Sequence, residues 1–308
     1  MLLTNMAYFL LSFVLIWFGS GLIVSSASKF SKKLRLSPFA FSFVFLGILT
    51  SIPEFSVGLQ AVADHNAEIF VGNLLGGIVV LFLVVIPLLA ILGNGISLRN
   101  EFDTTTLLAT LGVILTPSFF VLDKKVTNTE GLTMIILYSV LVYLVERKRG
   151  IFDAKNKQLL NMKAYSYLDI LKLLMGIGIV FTASHIIVEK TLFFAHTLEV
   201  SAFYISLLIV ALGTDLPELS LAIRSVISGK KEIAMGDYMG AAAVSTLFFG
   251  IFTLLHNGEV LTVSNFVTTF AFIGTGLGLF YLFFQKKHFI SRKNGFVMFG
   301  LYVLFYNY

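Results

Sequence analysis

Residues 50–83 recur at residues 214–247 without a gap, and the residues that match are ones an apolar membrane helix normally excludes. The first copy reads TSIPEFSVGLQAVADHNAEIFVGNLLGGIVVLFL and the second TDLPELSLAIRSVISGKKEIAMGDYMGAAAVSTL. At a constant offset of 164, Thr50 meets Thr214, Pro53 meets Pro217, Glu54 meets Glu218 and Ser56 meets Ser220. Further on Glu68 meets Glu232, Gly72 meets Gly236 and Gly76 meets Gly240. Shared hydrophobicity could align Val with Leu, but it would not hold Thr, Pro, Glu and Gly in register. An internal duplication within apolar spans, centred on a Pro-Glu break, is the pattern of a secondary transporter.

Composition sets the environment. Of 308 residues, 57% are hydrophobic and 13% charged, with a mean hydropathy of +0.92. A soluble domain carries about 25% charged residues, so most of this surface must face lipid. Cysteine is absent, which removes disulfides, thiolate metal sites and cysteine nucleophiles. The net charge of +5 fits basic loops at a membrane surface rather than a nucleic-acid partner. The first apolar stretch has no basic segment before it and runs into Lys29, Lys32, Lys33 and Arg35, as a retained span does and a cleaved leader does not.

Crossing a bilayer takes about 20 apolar residues. Ten runs approach or meet that length: 6–27, 39–63, 68–93, 104–121, 130–146, 166–188, 200–227, 232–256, 261–284 and 294–307, the fourth and last being short. In lipid these runs are helices, because no other partner exists for backbone amides. With the N-terminus outside, the inner loops hold 17 Lys and Arg and the outer loops 3. That asymmetry puts both termini outside and the 147–165 loop in the cytoplasm, in a multi-pass protein of the cell membrane. The same loop divides the chain into halves 1–146 and 166–308, each of five spans. Five is odd, so the second half enters the membrane upside down. The expected fold is all-α and polytopic: about ten transmembrane helices in two inverted five-helix repeats, with repeat motifs at 47–83 and 211–247.

Glu54 and Glu218 lie well inside spans two and seven. A charge there costs at least about 2.5 kcal/mol. A packing role would need that cost to be incurred twice at matching positions, whereas oxygen ligands at helix breaks suit hard cations. Pro53 cannot donate to the Leu49 carbonyl, nor Pro217 to that of Gly213, so both spans should unwind beside the acids. Ser51 and Asp215 precede their glutamates by one helical turn. The Gly72–Gly76 and Gly236–Gly240 pairs are small-xxx-small patterns, read first as close helix packing. Beside them Asn73 and Asp237 are either structural polar contacts or ligands. Glu68 and Glu232 start their helices, where capping explains them as well as ion funnelling does.

At these residues the chain resembles the sodium/calcium exchanger family of the cation/Ca²⁺ antiporter superfamily. Its repeats read G-T-S-x-P-E, followed on the next helix by a G-N-x-x-G-S-N type element. Thr50, Ser51, Pro53 and Glu54 match the first element, and Gly213, Thr214, Pro217 and Glu218 match its second copy. Gly72, Asn73 and Gly76 match the following element, as do Gly236, Asp237 and Gly240. The resemblance implies Glu54 and Glu218 as central ion ligands, with Thr50, Ser51 and Thr214 around them and spans one and six as a sliding gate. It implies Ca²⁺ extrusion against Na⁺ by alternating access, with no cofactor and with lipid and small inorganic cations as the partners of a single chain.

The match has gaps. The family's Ser after Gly-x-x-Gly is Gly77 here and Ala241 in the second repeat; the Asn or Asp four residues on is Leu81 and Ser245. The second-repeat Ser is Asp215. Fewer neutral donors and one more acid leave Ca²⁺/H⁺ exchange open beside Na⁺/Ca²⁺ exchange. Four acids in one low-dielectric cavity cannot all be ionised together; a divalent cation would offset two charges and protons others. Two other classes stand against antiport. A membrane enzyme would need a nucleophile–base pair or a His/Asp metal cluster within the spans, and the five histidines fall at span ends or loops. A homologue that binds an ion without transport, as sensor or scaffold, would keep the acids and show no flux.

Overall fold

The computed structural model describes residues 2–31, 42–97, 104–149, 167–228, 231–256, 259–260, 266–287 and 289–306. Most of the 147–165 loop lies outside the described residues. The rest is nearly all helix, in the order the apolar runs predict: α1 (Leu2–Ser31), α2 (Ser42–Thr50), α3 (Ile52–Ala63), α4 (Ala67–Leu92), α5 (Thr104–Phe120) and α6 (Asn128–Arg149), then α7 (Tyr167–Leu198), α8 (Ala202–Thr214), α9 (Leu216–Ser228), α10 (Lys231–Leu255), α11 (Phe266–Lys287) and α12 (Arg292–Tyr306). Seven of these are long and apolar enough to cross a membrane, and the pairs α2–α3 and α8–α9 make two further spans. Helix α12, with 15 residues, falls short of a full crossing, as its apolar run does. Helix α7 extends beyond its apolar run to Leu198, so His185 lies within a helix, on an exposed side, and not at a span end.

Both broken spans bend where the prolines require it. Helix α2 meets α3 at 49° and α8 meets α9 at 41°. The hinge residues are Ser51 (φ −83°, ψ 12°) and Asp215 (φ −81°, ψ 7°), outside the helical basin. Pro53 and Pro217 are the second residues of the helices that follow, where a missing N–H leaves no gap in the ladder. Each span also carries a π turn, at Ser42–Leu46 and Ser206–Val210, again 164 residues apart. The internal repeat therefore begins at least eight residues before Thr50.

Two helices form the centre. The apolar windows of α4 and α10 are 89% and 78% buried, against 28% for α1 and 29% for α7, which lie along each other at the margin. Glycine explains how the central helices approach the broken spans. A Cβ on Gly76 would run into the Leu207 carbonyl, and one on Gly240 into the Phe43 carbonyl. Phe43 and Leu207 are themselves a repeat pair. Each half thus presses its glycine against the other half's π turn, and the small-xxx-small reading as close packing holds.

Short antiparallel pairs close the ends. Strand β1 (Ile96–Ser97) pairs with β4 (Phe289–Ile290), and β2 (Lys125–Val126) with β3 (Glu259–Val260). Counting spans along the chain puts the two members of each pair on one face of the bundle, and the two pairs on opposite faces. At the first face Lys231 Nζ donates to the carbonyls of Gly93 and Gly95, capping the end of α4.

Because backbone and not a flexible side chain meets Gly240, Gly240→Val should destabilise the protein by about 1–3 kcal/mol or more. Gly112→Ala, inside α5 where a Cβ meets nothing within 4 Å, should keep or raise the melting temperature in detergent. Equal melting temperatures for the two variants would refute the close-approach explanation.

Candidate functional site

The acids converge where the two breaks meet the central helices. Glu54 is the third residue of α3 and Glu218 the third of α9; Asp215 is the hinge and Asp237 lies on α10. Their exposures are 3%, 0%, 3% and 0%. One carboxylate oxygen each from Glu54, Asp215 and Glu218 falls within 4.8 Å of the other two. Among the described residues no other three His, Asp or Glu side chains draw so close. Glu218 lies within electrostatic reach of Glu54, Asp215 and Asp237 alike. Both oxygens of Glu54, both of Glu218, and Oδ2 of Asp215 and of Asp237 are buried without a hydrogen-bond partner.

The walls are crossed between repeats. Thr50 Oγ1 lies 3.0 Å from Asp237 Oδ1 and 3.0 Å from the Leu46 carbonyl. Thr214 Oγ1 lies 3.1 Å from Asn73 Oδ1 and 3.2 Å from the Ala211 carbonyl. The offset of 164 turns the first pair into the second, so each hinge threonine reaches the opposite half's central helix. Thr214 also faces Glu54, close enough to interact but outside hydrogen-bond geometry. Asn73 is fully buried and its Nδ2 is unpartnered. Ser51 is buried at its hinge.

Every residue the sequence proposes therefore lies at or beside one locus. Glu54, Asp215 and Glu218 supply converging oxygens; Thr50, Thr214, Asn73 and Asp237 form the crossed pairs. Asn73 and Asp237 both make the structural polar contact that their position suggested; Asp237 keeps Oδ2 free for a cation, whereas the free atom of Asn73 is its Nδ2 amide, a donor that does not bind one. Glu68 is not part of the locus: its Oε2 accepts from Ser201 Oγ at 2.7 Å, and Ser201 caps α8. The Glu232 side chain lies outside the described residues.

Three residues escape the sequence reading. Ser42 and Ser206 are buried with unpartnered hydroxyls at the start of the π turns; the same offset relates them, so extending the repeat backwards would have found them. Tyr238, fully buried, donates its hydroxyl to the Glu218 carbonyl at 3.1 Å. Its counterpart is Leu74, so no repeat signal marks it.

A buried cluster of carboxylate, hydroxyl and amide oxygens, with no sulfur or imidazole among the converging acids, suits hard cations. Placed at two proline-broken half-spans within an all-helical membrane bundle, it defines a carrier of such ions. The family comparison names the carrier: residues 4–145 and 168–308 match the family model for sodium/calcium exchanger proteins, and the chain belongs to that family, a secondary active cation antiporter by class. The match falls into two blocks that flank the central loop. The sodium/calcium exchanger MaX1 of Methanosarcina acetivorans is 24% identical over 99% of this chain and 98% of its own. The putative antiporter CaxA of Alkalimonas amylolytica is 24% identical over 82% of this chain and 81% of its own. Among solved structures, the sodium-calcium exchanger NCX_Mj superposes with a TM-score of 0.72 at 22% identity, covering 99% of this chain and 98% of that one. At that identity the likeness speaks for the fold.

The crossed pairs differ in chemistry, and that difference is measurable. Thr50→Val strips a hydroxyl from an acid and should cost about 1.5–3 kcal/mol, whereas Thr214→Val strips one from an amide and should cost about 0.5–1.5 kcal/mol. Thermal unfolding in detergent would rank them; a greater loss for Thr214→Val would contradict the pairing.

Proposed function

We propose that this protein is a secondary active antiporter that exports Ca²⁺ in exchange for Na⁺ or H⁺, with Glu54, Asp215 and Glu218 as its central ligands. The observation that carries this reading is their convergence: three buried carboxylates within 4.8 Å, holding oxygens that no protein donor meets. Oxygens of Thr50, Ser51 and Thr214 would complete the first layer around the ion, with Asn73 and Asp237 behind it. The printed names of MaX1 and CaxA, an exchanger and an antiporter, point the same way. No cofactor enters. The cluster is built of carboxylate and hydroxyl oxygens, a donor set that fits ion binding.

The same convergence explains why such a site exchanges ions and does not leak them. Leaving ionised carboxylates uncompensated in a low-dielectric core costs several kcal/mol per charge. The empty site therefore resists switching between faces. A divalent cation offsets two charges, and Na⁺ or protons returning to the same oxygens do the same, so each crossing needs a passenger. The halves 1–146 and 166–308 would alternate about the locus, with α1 and α7 sliding over it: both lie at the margin with largely exposed faces, packed along each other, and the Phe13 ring of α1 rests on Gly213 beside the hinge. The basic-loop asymmetry favours termini outside in a cell membrane, with a single chain as the working unit.

In proteoliposomes, radioactive Ca²⁺ uptake should follow an imposed Na⁺ or proton gradient, and Glu54→Gln or Glu218→Gln should reduce it at least about 100-fold, since each removes a ligand charge. A wild type that carries no Ca²⁺ on either gradient would leave the scaffold reading instead. Protons and Ca²⁺ compete for the same carboxylates, so uptake should rise between about pH 6 and about pH 8. A flat profile that is also indifferent to the proton gradient would exclude H⁺ as a passenger.

A further inference from the structure

Gly77 has no packing reason to be glycine. It sits inside α4 in helical conformation, where glycine costs about 0.8–1.0 kcal/mol relative to alanine. Its neighbour Gly76 could not carry a Cβ, because the Leu207 carbonyl and the Ala211 side chain occupy that space. A Cβ on Gly77 meets nothing closer than 3.6 Å. The atoms within 4 Å of it are the two carboxylate oxygens of Asp215, Oδ2 at 3.6 Å and Oδ1 at 3.9 Å. Any atom beyond that Cβ would compete with the carboxylate for its place.

The repeat supplies an internal control. By the 164-residue offset, Asp215 corresponds to Ser51 and Gly77 to Ala241. One half combines a short neutral hinge side chain with a Cβ on the central helix. The other combines a longer acidic hinge side chain with no Cβ. The substitutions compensate in volume and add one negative charge to the cluster, whose Asp215 Oδ2 is buried and unpartnered.

Given the cation site proposed above, we propose that Gly77 and Asp215 are a matched specificity pair: the side chain missing at position 77 makes the room in which Asp215 holds its carboxylate towards Glu54 and Glu218. A third converging carboxylate raises the preference for a divalent over a monovalent cation, since the Coulomb attraction scales with the ion's charge. Asp215 is the ligand of the pair and Gly77 its positioning residue, which acts by leaving space.

Ca²⁺ binding to the purified protein in detergent, followed by calorimetry with Ca²⁺ alone and again with Na⁺ as competitor, tests the pair without requiring transport. Asp215→Ser should weaken Ca²⁺ binding about tenfold or more and make Na⁺ a better competitor. Gly77→Ser should weaken Ca²⁺ binding about tenfold in the native background but by less than about threefold in the Asp215→Ser background, a non-additivity that independent sites do not show. Equal factors in the two backgrounds would overturn the pairing, as would an unchanged Ca²⁺/Na⁺ preference in Asp215→Ser. Gly77→Thr, whose branches also reach beyond the Cβ, supplies the same cycle if the serine variant fails to fold, and Gly77→Ala, whose Cβ sits at ordinary contact distance, should leave Ca²⁺ binding within about twofold of the native value. Ca²⁺ bound tightly by a wild type that shows no flux would sink the antiport reading while leaving the pair standing. A wild type that binds no Ca²⁺ would sink both.

Discussion

Four carboxylates share one apolar core, and nothing else in this molecule makes sense until their charge is accounted for. Glu54, Asp215, Glu218 and Asp237 are each almost fully buried. No lysine or arginine among the described residues forms an ion pair with them; Lys231, the basic residue on α10, spends its hydrogen bonds on the carbonyls of Gly93 and Gly95. Buried acids are tolerated when neutralised, paired or bound to a cation. In the proposed antiport cycle that compensation comes from ions that enter and leave. Structure and exchange thus have one cause: the acids make the core unstable when empty and selective when full.

Holding those acids in place falls to backbone. Ordinary transmembrane helices would bury every carbonyl in its own ladder and aim the side chains around the helix. Proline at the second position of α3 and of α9 separates each span into two helices, and the break puts a hinge residue and a glutamate within one helical turn of each other. Threonine then ties each hinge to the other half. The Thr50–Asp237 and Thr214–Asn73 contacts make the two breaks mutually dependent, so displacement of one half disturbs the ligand geometry of both. The glycine contacts work alongside them. Gly76 and Gly240 bring helix backbone against π-turn carbonyls at distances that any side chain would forbid, fixing the central helices beside the breaks.

Much of this could be read from the residues because the duplication acts as its own control. Thr, Pro, Glu and Gly kept in register across 164 residues located both breaks, Glu54, Glu218 and the two close-packing glycines, while Asp215, which the repeat does not match, was found by its place one helical turn before Glu218. Of the ten apolar runs, nine correspond to spans among the described residues, two of them broken, and the tenth to the 15-residue α12. What stayed hidden has identifiable causes. A π turn inserts one residue into a helical turn without changing composition, so Ser42–Leu46 and Ser206–Val210 carry no local signal. Tyr238 belongs to one half only, and a repeat cannot flag an unrepeated residue. The strand pairs at the bundle ends are two residues long, too short for an alternation to register. Asn73 and Asp237 were ambiguous because ligand and structural contact place the same demand on a polar side chain, and the structure shows each with one atom committed and one free.

The departures from symmetry are where the two halves stop being interchangeable. Asp237 stands where the first half has Asn73, Asp215 where it has Ser51, and Tyr238 where it has Leu74. Two of these changes add an acid and the third adds a hydroxyl that braces the Glu218 carbonyl, so the second half has become the more acidic and more tightly held side of the locus. In the proposed cycle a cation entering the cluster meets an off-centre field, with Glu54 facing three acids from the opposite half. An inverted repeat with identical halves would present the ion with two equal approaches. This one presents a strong and a weak side, and any order in which ligands release their cargo must follow from that inequality and not from the symmetry that built the fold.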